Sequence, residues 1–377
     1  MPAPAEIPEL PEQLTAAWLS GALDWSVRAV EQQVLGEGQG FLGDILRLRL
    51  DSEDPAAPPS IIAKLPKLNN RAMGEMLGVY EREVCFFQEF GEQIPVRIPR
   101  VFFSHYDPDA GSAKQKEILA ALDGLPRFLT PLIGLLGKRV AAAKHRRYLV
   151  LMEDLAEFEA GDQLAGADPE TCARVLEQFA AVHSAFWNGT GIADRFWLLP
   201  MDIDARMREG MFRRTHKRYV AEAGADLAPY VAWFADHSAE LTRRLAAEAP
   251  PTLMHGDLRL DNVCFAGQDC AFIDWQLVRT GPAAYDVAYF LTSALKTAAT
   301  VAEEDEILKR YHRALGRADY PYERFFRDYQ RGLLLSLPAT APMVDFDIDT
   351  GRGQAMMSRW RERLRARITR VHLNSLL

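Results

Sequence analysis

The sequence predicts an α+β protein of two lobes, a small N-terminal lobe with an antiparallel sheet and a larger, mostly helical C-terminal lobe. Three observations carry that prediction. Short apolar runs of strand length fall before about residue 152, among them the alternating LRLRL at 46–50 and the more continuous SIIAKLP at 60–66 and RRYLVLMEDLAE at 146–157. From about Asp168 onward apolar residues recur at helical spacing, as in ETCARVLEQFAAVHSAFW. The 377 residues are long enough for two lobes. The expected division is 1–152 and 153–377, the first interrupted by an insertion at about 107–145.

Composition narrows the class. Apolar content of 48 % and charged content of 25 % are ordinary for a water-soluble protein. A net charge of −8 disfavours nucleic acid as a partner, though it would not repel a cationic amine. The N-terminal MPAPAEIPELPEQL is polar and proline-rich, unlike a signal peptide, and no run of about 20 apolar residues predicts a membrane span. Cys85, Cys172, Cys264 and Cys270 show neither C-x-x-C nor zinc spacing. Cys264 and Cys270 flank a predicted turn and can approach each other, but the pattern reads as reduced thiols of a cytoplasmic protein.

In chain order, a short helix is expected near 11–22. Next, LGEGQGFLGDILRLRL at 35–50 holds Gly36, Gly38, Gly40 and Gly43 before it alternates into a strand. Glycines let backbone N–H groups approach phosphate oxygens closely, although glycine-rich hairpins are common and this one is no Walker loop. Lys64 lies inside an apolar strand, where a lysine usually marks an edge or snorkels. A helix over about 71–90 places Glu83 in a stripe with Val79, Phe86, Phe87 and Phe90. A carboxylate there needs a partner. Lys64 is the first candidate and Glu75 the fallback for it; the alternative has Glu83 leaning to solvent or pairing with Arg82.

The insertion is apolar in its middle (Phe128, Leu129, Leu132, Ile133, Leu135, Leu136) and basic at its end. It reads as a helix packed on the lobe, a homodimer contact, or a surface that meets greasy substrate or membrane. Beyond it, RRYLVLMEDLAE runs from buried strand into a charged turn at Glu153, Asp154 and Leu155. By itself that is an ordinary solvated turn. The C-terminal RGQAMMSRWRERLRARITRVHL predicts a basic amphipathic helix that docks Met356, Trp360, Leu364 and Ile368 and turns a solvated basic face outward, the alternative being a contact of that face with acidic lipid or phosphate.

The most specific segment is HGDLRLDNVCF at 255–265, followed by FIDWQ at 272–276. VCFAGQDCAFI reads as strand, turn near Gly267, strand, so Asn262 and Asp274 should meet at the open end of a hairpin. An aspartate, Asp257, can orient a hydroxyl and take its proton late in phosphoryl transfer. The amide oxygen of Asn262 and the carboxylate of Asp274 are hard ligands suited to Mg²⁺. Singly, each is a polar turn residue; the joint spacing is what points to the chemistry. His255 beside Leu253 and Met254 reads as a core residue. Asp286 falls in the first turns of a helix opened by Pro282, where the dipole favours an acid.

This segment resembles the catalytic core of the aminoglycoside phosphotransferase superfamily, which shares the protein-kinase fold. Its HGDLRLDN and DWQ forms are similar to the ecdysteroid-kinase-like (choline-kinase-like) branch. The resemblance extends from about residue 35 to about residue 291 and more weakly beyond. It implies a bilobal protein-kinase-like fold, with a nucleotide-binding lobe at 1–152 and a catalytic and substrate-binding lobe at 153–377. It also implies that Asp257 is the catalytic carboxylate and that Asn262 and Asp274 are metal ligands. Arg259 stands where protein kinases carry a lysine that reaches the transferred phosphate. The glycine run would cover the nucleotide phosphates, Lys64 paired with Glu83 would hold them, and the backbone near Glu153, Asp154 and Leu155 would meet adenine. His255 would brace the loop and Asp286 would bond its backbone.

The function so implied is ATP- and Mg²⁺-dependent phosphorylation of a small-molecule alcohol, sterol-like, amino-alcohol or aminoglycoside-like. Aromatic residues over 196–234 lean toward a neutral or apolar one. A protein kinase fits poorly, because Gly256 replaces the arginine of H-R-D and D-F-G and A-P-E are absent. A non-catalytic nucleotide-binding regulator is opposed by the joint presence of Lys64, Asp257, Asn262 and Asp274. A hydrolase would leave the glycine run and Lys64 without a role.

Overall fold

Period-two alternation builds the N-terminal sheet. In the computed structural model, which describes residues 6–35, 43–109, 112–126, 129–142, 146–341 and 351–377, five strands pair antiparallel. They are β1 (Val27–Leu35), β2 (Gly43–Ser52), β3 (Ser60–Pro66), β4 (Val101–Tyr106) and β5 (Tyr148–Glu153), in the order β1-β2-β3-β5-β4. Leu46 and Leu48, Ile61, Ala63 and Leu65, and Leu149 and Leu151 alternate along their strands and bury in one cluster with Leu14 and Leu19. The predicted N-terminal helix is shorter than expected: a single turn at Pro11–Gln13, then α1 (Ala16–Leu23). The Thr15 hydroxyl caps α1 by accepting from the Trp18 N–H at 3.2 Å.

Alternation also puts Lys64 on the face opposite Ala63 and Leu65. The single helix expected over 71–90 is broken at Gly78, whose φ of 65° ends α2 (Arg71–Leu77) and starts α3 (Val79–Phe90). Residues 79–87 are all buried, charged Glu81, Arg82 and Glu83 included. Each finds a partner, as burial requires. Glu81 accepts from Arg146 at 3.0 Å and from the Ser112 hydroxyl at 2.8 Å, and Arg82 donates to the Leu77 carbonyl at 2.9 Å. The insertion forms α4 (Gln115–Asp123) and α5 (Thr130–Ala142), and Phe128 lies outside the described residues.

The chain divides into two compact units. The first comprises Met1–Ile94, Ile98–Ser112 and Gly134–Phe158, and the second Pro95–Arg97, Ala113–Ile133 and Glu159–Leu377. The second unit is largely helical: α6 (Pro169–Ala185), α7 (Ala205–Ala223), α8 (Ala228–Glu248), α9 (Ala283–Ala294), α10 (Val301–Leu315), α11 (Tyr322–Leu335) and α12 (Gly351–Ile368). Asp168 caps α6 with Pro169 at its first position, and a Thr300–Glu303 capping box opens α10. Between the helices, β6 (Glu159–Ala160), β8 (Val263–Ala266) and β9 (Asp269–Phe272) form one small sheet. A second joins β7 (Pro251–Met254) to β10 (Arg279–Pro282).

Met356, Trp360, Leu364 and Ile368 of α12 are buried, as their spacing predicts. The basic face differs from expectation, because Arg363 and Arg367 are buried too. They donate to the Ser293 and Leu295 carbonyls at the end of α9, where helix geometry leaves acceptors without an internal partner. The four cysteines are buried free thiols. Among the described residues no helix is long and apolar enough to cross a membrane.

Helix α9 carries residues of the candidate site and packs on α11 at Gly332. A Cβ on Gly332 would lie 2.8 Å from the Ala288 Cβ and 3.0 Å from the Ala284 carbonyl oxygen. Gly332→Val is expected to cost about 1–3 kcal/mol of stability, read by urea unfolding. A wild-type midpoint would show that the two helices separate without penalty.

Candidate active site

The loop of residues 255–262 joins β7 to β8, and the β8–β9 hairpin turns at Gly267, whose φ is 59°. Asn262 and Asp274 stand at its open end, where the Ile273 N–H donates to the Asn262 carbonyl at 3.0 Å. Asp274 has a φ of 65°, an uncommon conformation for a residue with a side chain and one that collects at functional sites.

Asp257 is 9 % exposed and its carboxylate is held from three sides. Tyr289 donates to Oδ1 at 2.8 Å, while Asn262 Nδ2 and Arg259 Nε donate to Oδ2 at 3.0 and 3.1 Å. Asn262 Nδ2 also donates to the Asp257 carbonyl at 2.9 Å. The amide oxygen of Asn262 therefore points away from Asp257, where it can serve as a hard donor. Arg259 lies on carboxylates, since its Nη1 also meets Asp261 at 2.9 Å. Burial opposes its charge, but Asp257 and Asp261 outweigh that and hold the guanidinium above its ordinary value. Burial, then the Asp257 carboxylate, push the Tyr289 phenol well up, so it remains a protonated donor.

Asp286, fully buried, fixes the loop backbone. It accepts from the N–H groups of His255 at 2.7 Å and Gly256 at 3.1 Å, and from His183 Nε2 at 3.3 Å. Gly256 has a φ of 80°, and a Cβ there would run into the Leu277 carbonyl. That geometry explains glycine where protein kinases carry arginine. His255 donates from Nε2 to the Ile273 carbonyl at 3.0 Å and accepts the Asp257 N–H at Nδ1, 3.4 Å away. Burial pushes its pKa down, so the ring is a neutral brace with a fixed tautomer.

In the first unit, Lys64 Nζ and Glu83 Oε1 are 2.7 Å apart and both side chains are mostly buried. Glu75, the fallback partner, accepts from the Tyr148 hydroxyl at 2.9 Å. Gly43 opens β2 opposite Pro66, and Gly36, Gly38 and Gly40 lie outside the described residues. The turn at 153–155 is not simply solvated. Asp154 accepts from Arg47 at 2.6 and 3.1 Å and from Ser60 at 2.7 Å, and Glu153 accepts from the Arg100 N–H at 2.9 Å. On the main chain, the Glu153 N–H donates to Arg100 and the Leu155 carbonyl accepts from Phe158.

Sequence reasoning missed Tyr289 and His183. Tyr289 had a signal, since it follows Asp286 by three positions and must share its helix face. His183 had none beyond its place near the end of α6. The second unit also holds a cavity of about 390 Å³ lined by Gly256, Leu277, Tyr285, Tyr289, Phe212 and Phe234 among others. That volume lies within the range of about 300–1,000 Å³ usual for small-molecule sites. Among the described residues no three His, Cys, Asp or Glu side chains gather as a metal site. The donors that could hold an ion are the Asn262 amide oxygen and the Asp274 carboxylate, and oxygen donors of this kind fit a small hard cation.

The architecture is that of the α+β, kinase-like class. The model of the phosphotransferase enzyme (APH) family matches residues 91–326, more than half of the chain, and the chain belongs to that family. Comparison with curated proteins finds no match. Among solved structures, an amicoumacin kinase in complex with AMP-PNP, Ca²⁺ and Ami aligns with a TM-score of 0.50 at 12% identity, over 98% of both chains. A microcompartment-associated aminopropanol kinase aligns at 0.48 and 13% identity, over 89% of this chain and 90% of the other. A choline kinase from Cryptosporidium parvum Iowa II aligns at 0.48 and 12% identity, over 89% of this chain and 88% of the other. At its identity the amicoumacin kinase is a likeness of fold.

The neutral state of His255 has a consequence for stability. Above its ordinary pKa of 6.5 the ring is neutral in both folded and unfolded chains. Below it the unfolded chain takes up a proton that the folded loop refuses, so stability falls by up to about 1.4 kcal/mol per pH unit until the folded-state value is reached. Urea unfolding of His255→Gln is expected to show a shallower loss than wild type in that window. An equal slope would mean that His255 is not the buried neutral group.

Proposed function

We propose that the chain is an ATP- and Mg²⁺-dependent small-molecule phosphotransferase that phosphorylates a hydroxyl of an alcohol. The form of HGDLRLDN and DWQ supports the ecdysteroid-kinase-like branch. The observation that carries the reading is the hold on Asp257: three donors orient one carboxylate beside a cavity, with Asn262 and Asp274 at the ends of one hairpin.

In this reading, residues 1–152 bind the nucleotide and residues 153–377 supply catalysis and the acceptor site. Lys64, steadied by Glu83, and the glycine run of Gly36, Gly38, Gly40 and Gly43 hold the phosphates. Backbone near Glu153, Asp154 and Leu155 receives the base. Asn262 and Asp274 hold the divalent ion, which when bound neutralises charge on the phosphates. The amicoumacin kinase that shares the fold is in complex with AMP-PNP and Ca²⁺, which supports a nucleotide and a divalent ion here.

Asp257 accepts a hydrogen bond from the acceptor hydroxyl. As that oxygen bonds to the γ-phosphorus and the bond to the bridging oxygen of ADP breaks, Asp257 takes the hydroxyl proton. Tyr289, Asn262 and Arg259 keep the carboxylate from rotating, which is positioning. Arg259, two residues after Asp257, also stands where protein kinases carry a lysine that reaches the transferred phosphate. The acceptor enters the cavity beside Gly256 and Tyr289, whose walls combine Phe212, Phe234, Tyr285 and Leu277 with Arg208, Glu209 and Arg214; the aromatic part supports a neutral or apolar alcohol. The buried free thiols support a cytoplasmic location.

The test is a coupled ADP-release screen over alcohols and amino-alcohols, with Asp257→Ala as the blank. Wild type should turn over at least one acceptor. Asp257→Ala should lose about 10²–10⁴-fold in turnover and keep its nucleotide affinity. A fully active Asp257→Ala would refute the assignment, and a wild type that binds nucleotide but phosphorylates nothing would favour the regulator.

A further inference from the structure

Two helices wall the cavity beside Gly256 and Tyr289: α7 through Arg208, Phe212 and Thr215, and α8 through Phe234 and Thr242. The placing of α7 therefore decides the shape of the acceptor space. The first N–H groups of a helix need acceptors from outside it, and an aspartate just before the first turn ordinarily supplies one. Asp204 occupies that position in α7, yet its side chain makes no cap. Its carboxylate is engaged elsewhere, by Arg279 at 3.1 Å and by Arg208 at 2.9 Å.

The acceptor comes from the insertion instead. Asp123, the last residue of α4, is buried and stands 84 positions from its partner in the chain. Its Oδ1 accepts the Met207 N–H, in the first turn of α7, at 3.0 Å, and its Oδ2 accepts from Arg243 of α8 at 2.5 Å. One carboxylate thus ties both helices of the cavity wall to α4. The other end of α4 is tied as well. Lys116 Nζ donates at 2.5 Å to the carbonyl of Arg195, in the segment that leads to α7. A buried carboxylate with both oxygens bonded to charged or backbone donors holds those donors in one geometry. Asp123 itself is not among the residues that line the cavity.

We propose that Asp123 is a positioning residue for the acceptor. Through Met207 and Arg243 it sets where the α7–α8 wall stands, and so which alcohols the cavity admits. The inference rests on the phosphotransferase reading and adds to it that the insertion serves acceptor selection.

Steady-state kinetics over the alcohols that wild type phosphorylates tests this, with ATP and acceptor varied in turn. Asp123→Ala should raise KM for the acceptor about tenfold, the size expected for a lost helix cap, and leave KM for ATP at its wild-type value. The order of preference between small and bulky acceptors should change with it. Asp123→Asn keeps an oxygen for the Met207 N–H and should recover most of the loss. Arg243→Gln removes the other bond at a half-exposed side chain and should raise acceptor KM in the same direction. A role in stability alone would lower the active fraction, and with it kcat, at unchanged KM. That pattern, or acceptor KM and preference unchanged in Asp123→Ala and Arg243→Gln, would overturn the inference and leave the phosphotransferase standing. An equal rise in KM for ATP and acceptor would overturn it as well. A wild type that phosphorylates no alcohol would remove the phosphotransferase reading, and the inference with it.

Discussion

A carboxylate sealed from water must satisfy its oxygens inside the protein, and Asp286 does so with the loop that carries Asp257. Two consecutive backbone N–H groups converge on it, which forces the chain to turn sharply between them. The turn demands a positive φ at residue 256 and leaves no room for a side chain beneath the Leu277 carbonyl. Glycine at 256 and aspartate at 286 are thus two halves of one constraint. The pose of Asp257 follows from both.

The same helix then adds a second tie. Tyr289 lies one turn beyond Asp286 and reaches the Asp257 side chain, so α9 fixes the loop by its backbone and by its carboxylate. Trp360 of α12 packs edge-on against the Tyr289 ring, with centroids 5.0 Å apart. The C-terminal helix therefore supports the loop through the core, and also by charge, since Arg352 Nη2 lies 3.8 Å from the Asp261 carboxylate. In the first unit, Lys64 and Glu83 satisfy each other at the sheet face opposite the apolar cluster. Such a buried pair is costly to break, which makes it a rigid feature.

Much of this was legible because burial and spacing leave few choices. A glutamate in an apolar helical stripe needed a cation, and an alternating strand offered Lys64. The hairpin between Asn262 and Asp274 followed from two short apolar arms and a glycine between them. Other features depended on partners remote in sequence. The break at Gly78 was hidden by a run that kept its helical periodicity. Asp154 meets Arg47, 107 residues away, so its side chain read as a solvated turn. Arg363 and Arg367 read as solvent-facing because no acidic partner was in view, yet carbonyls at the end of α9 receive them. Tyr289 was concealed within VAYFL, where a hydroxyl hides in an apolar helix.

The central claim is that Asn262 and Asp274 hold the divalent ion that nucleotide binding requires. Calorimetric titration of ATP with and without Mg²⁺, into wild type and Asp274→Ala, tests it most directly. The account predicts tighter binding with Mg²⁺ in wild type and the loss of that difference in the variant. An Asp274→Ala protein that keeps the full Mg²⁺ dependence would contradict it.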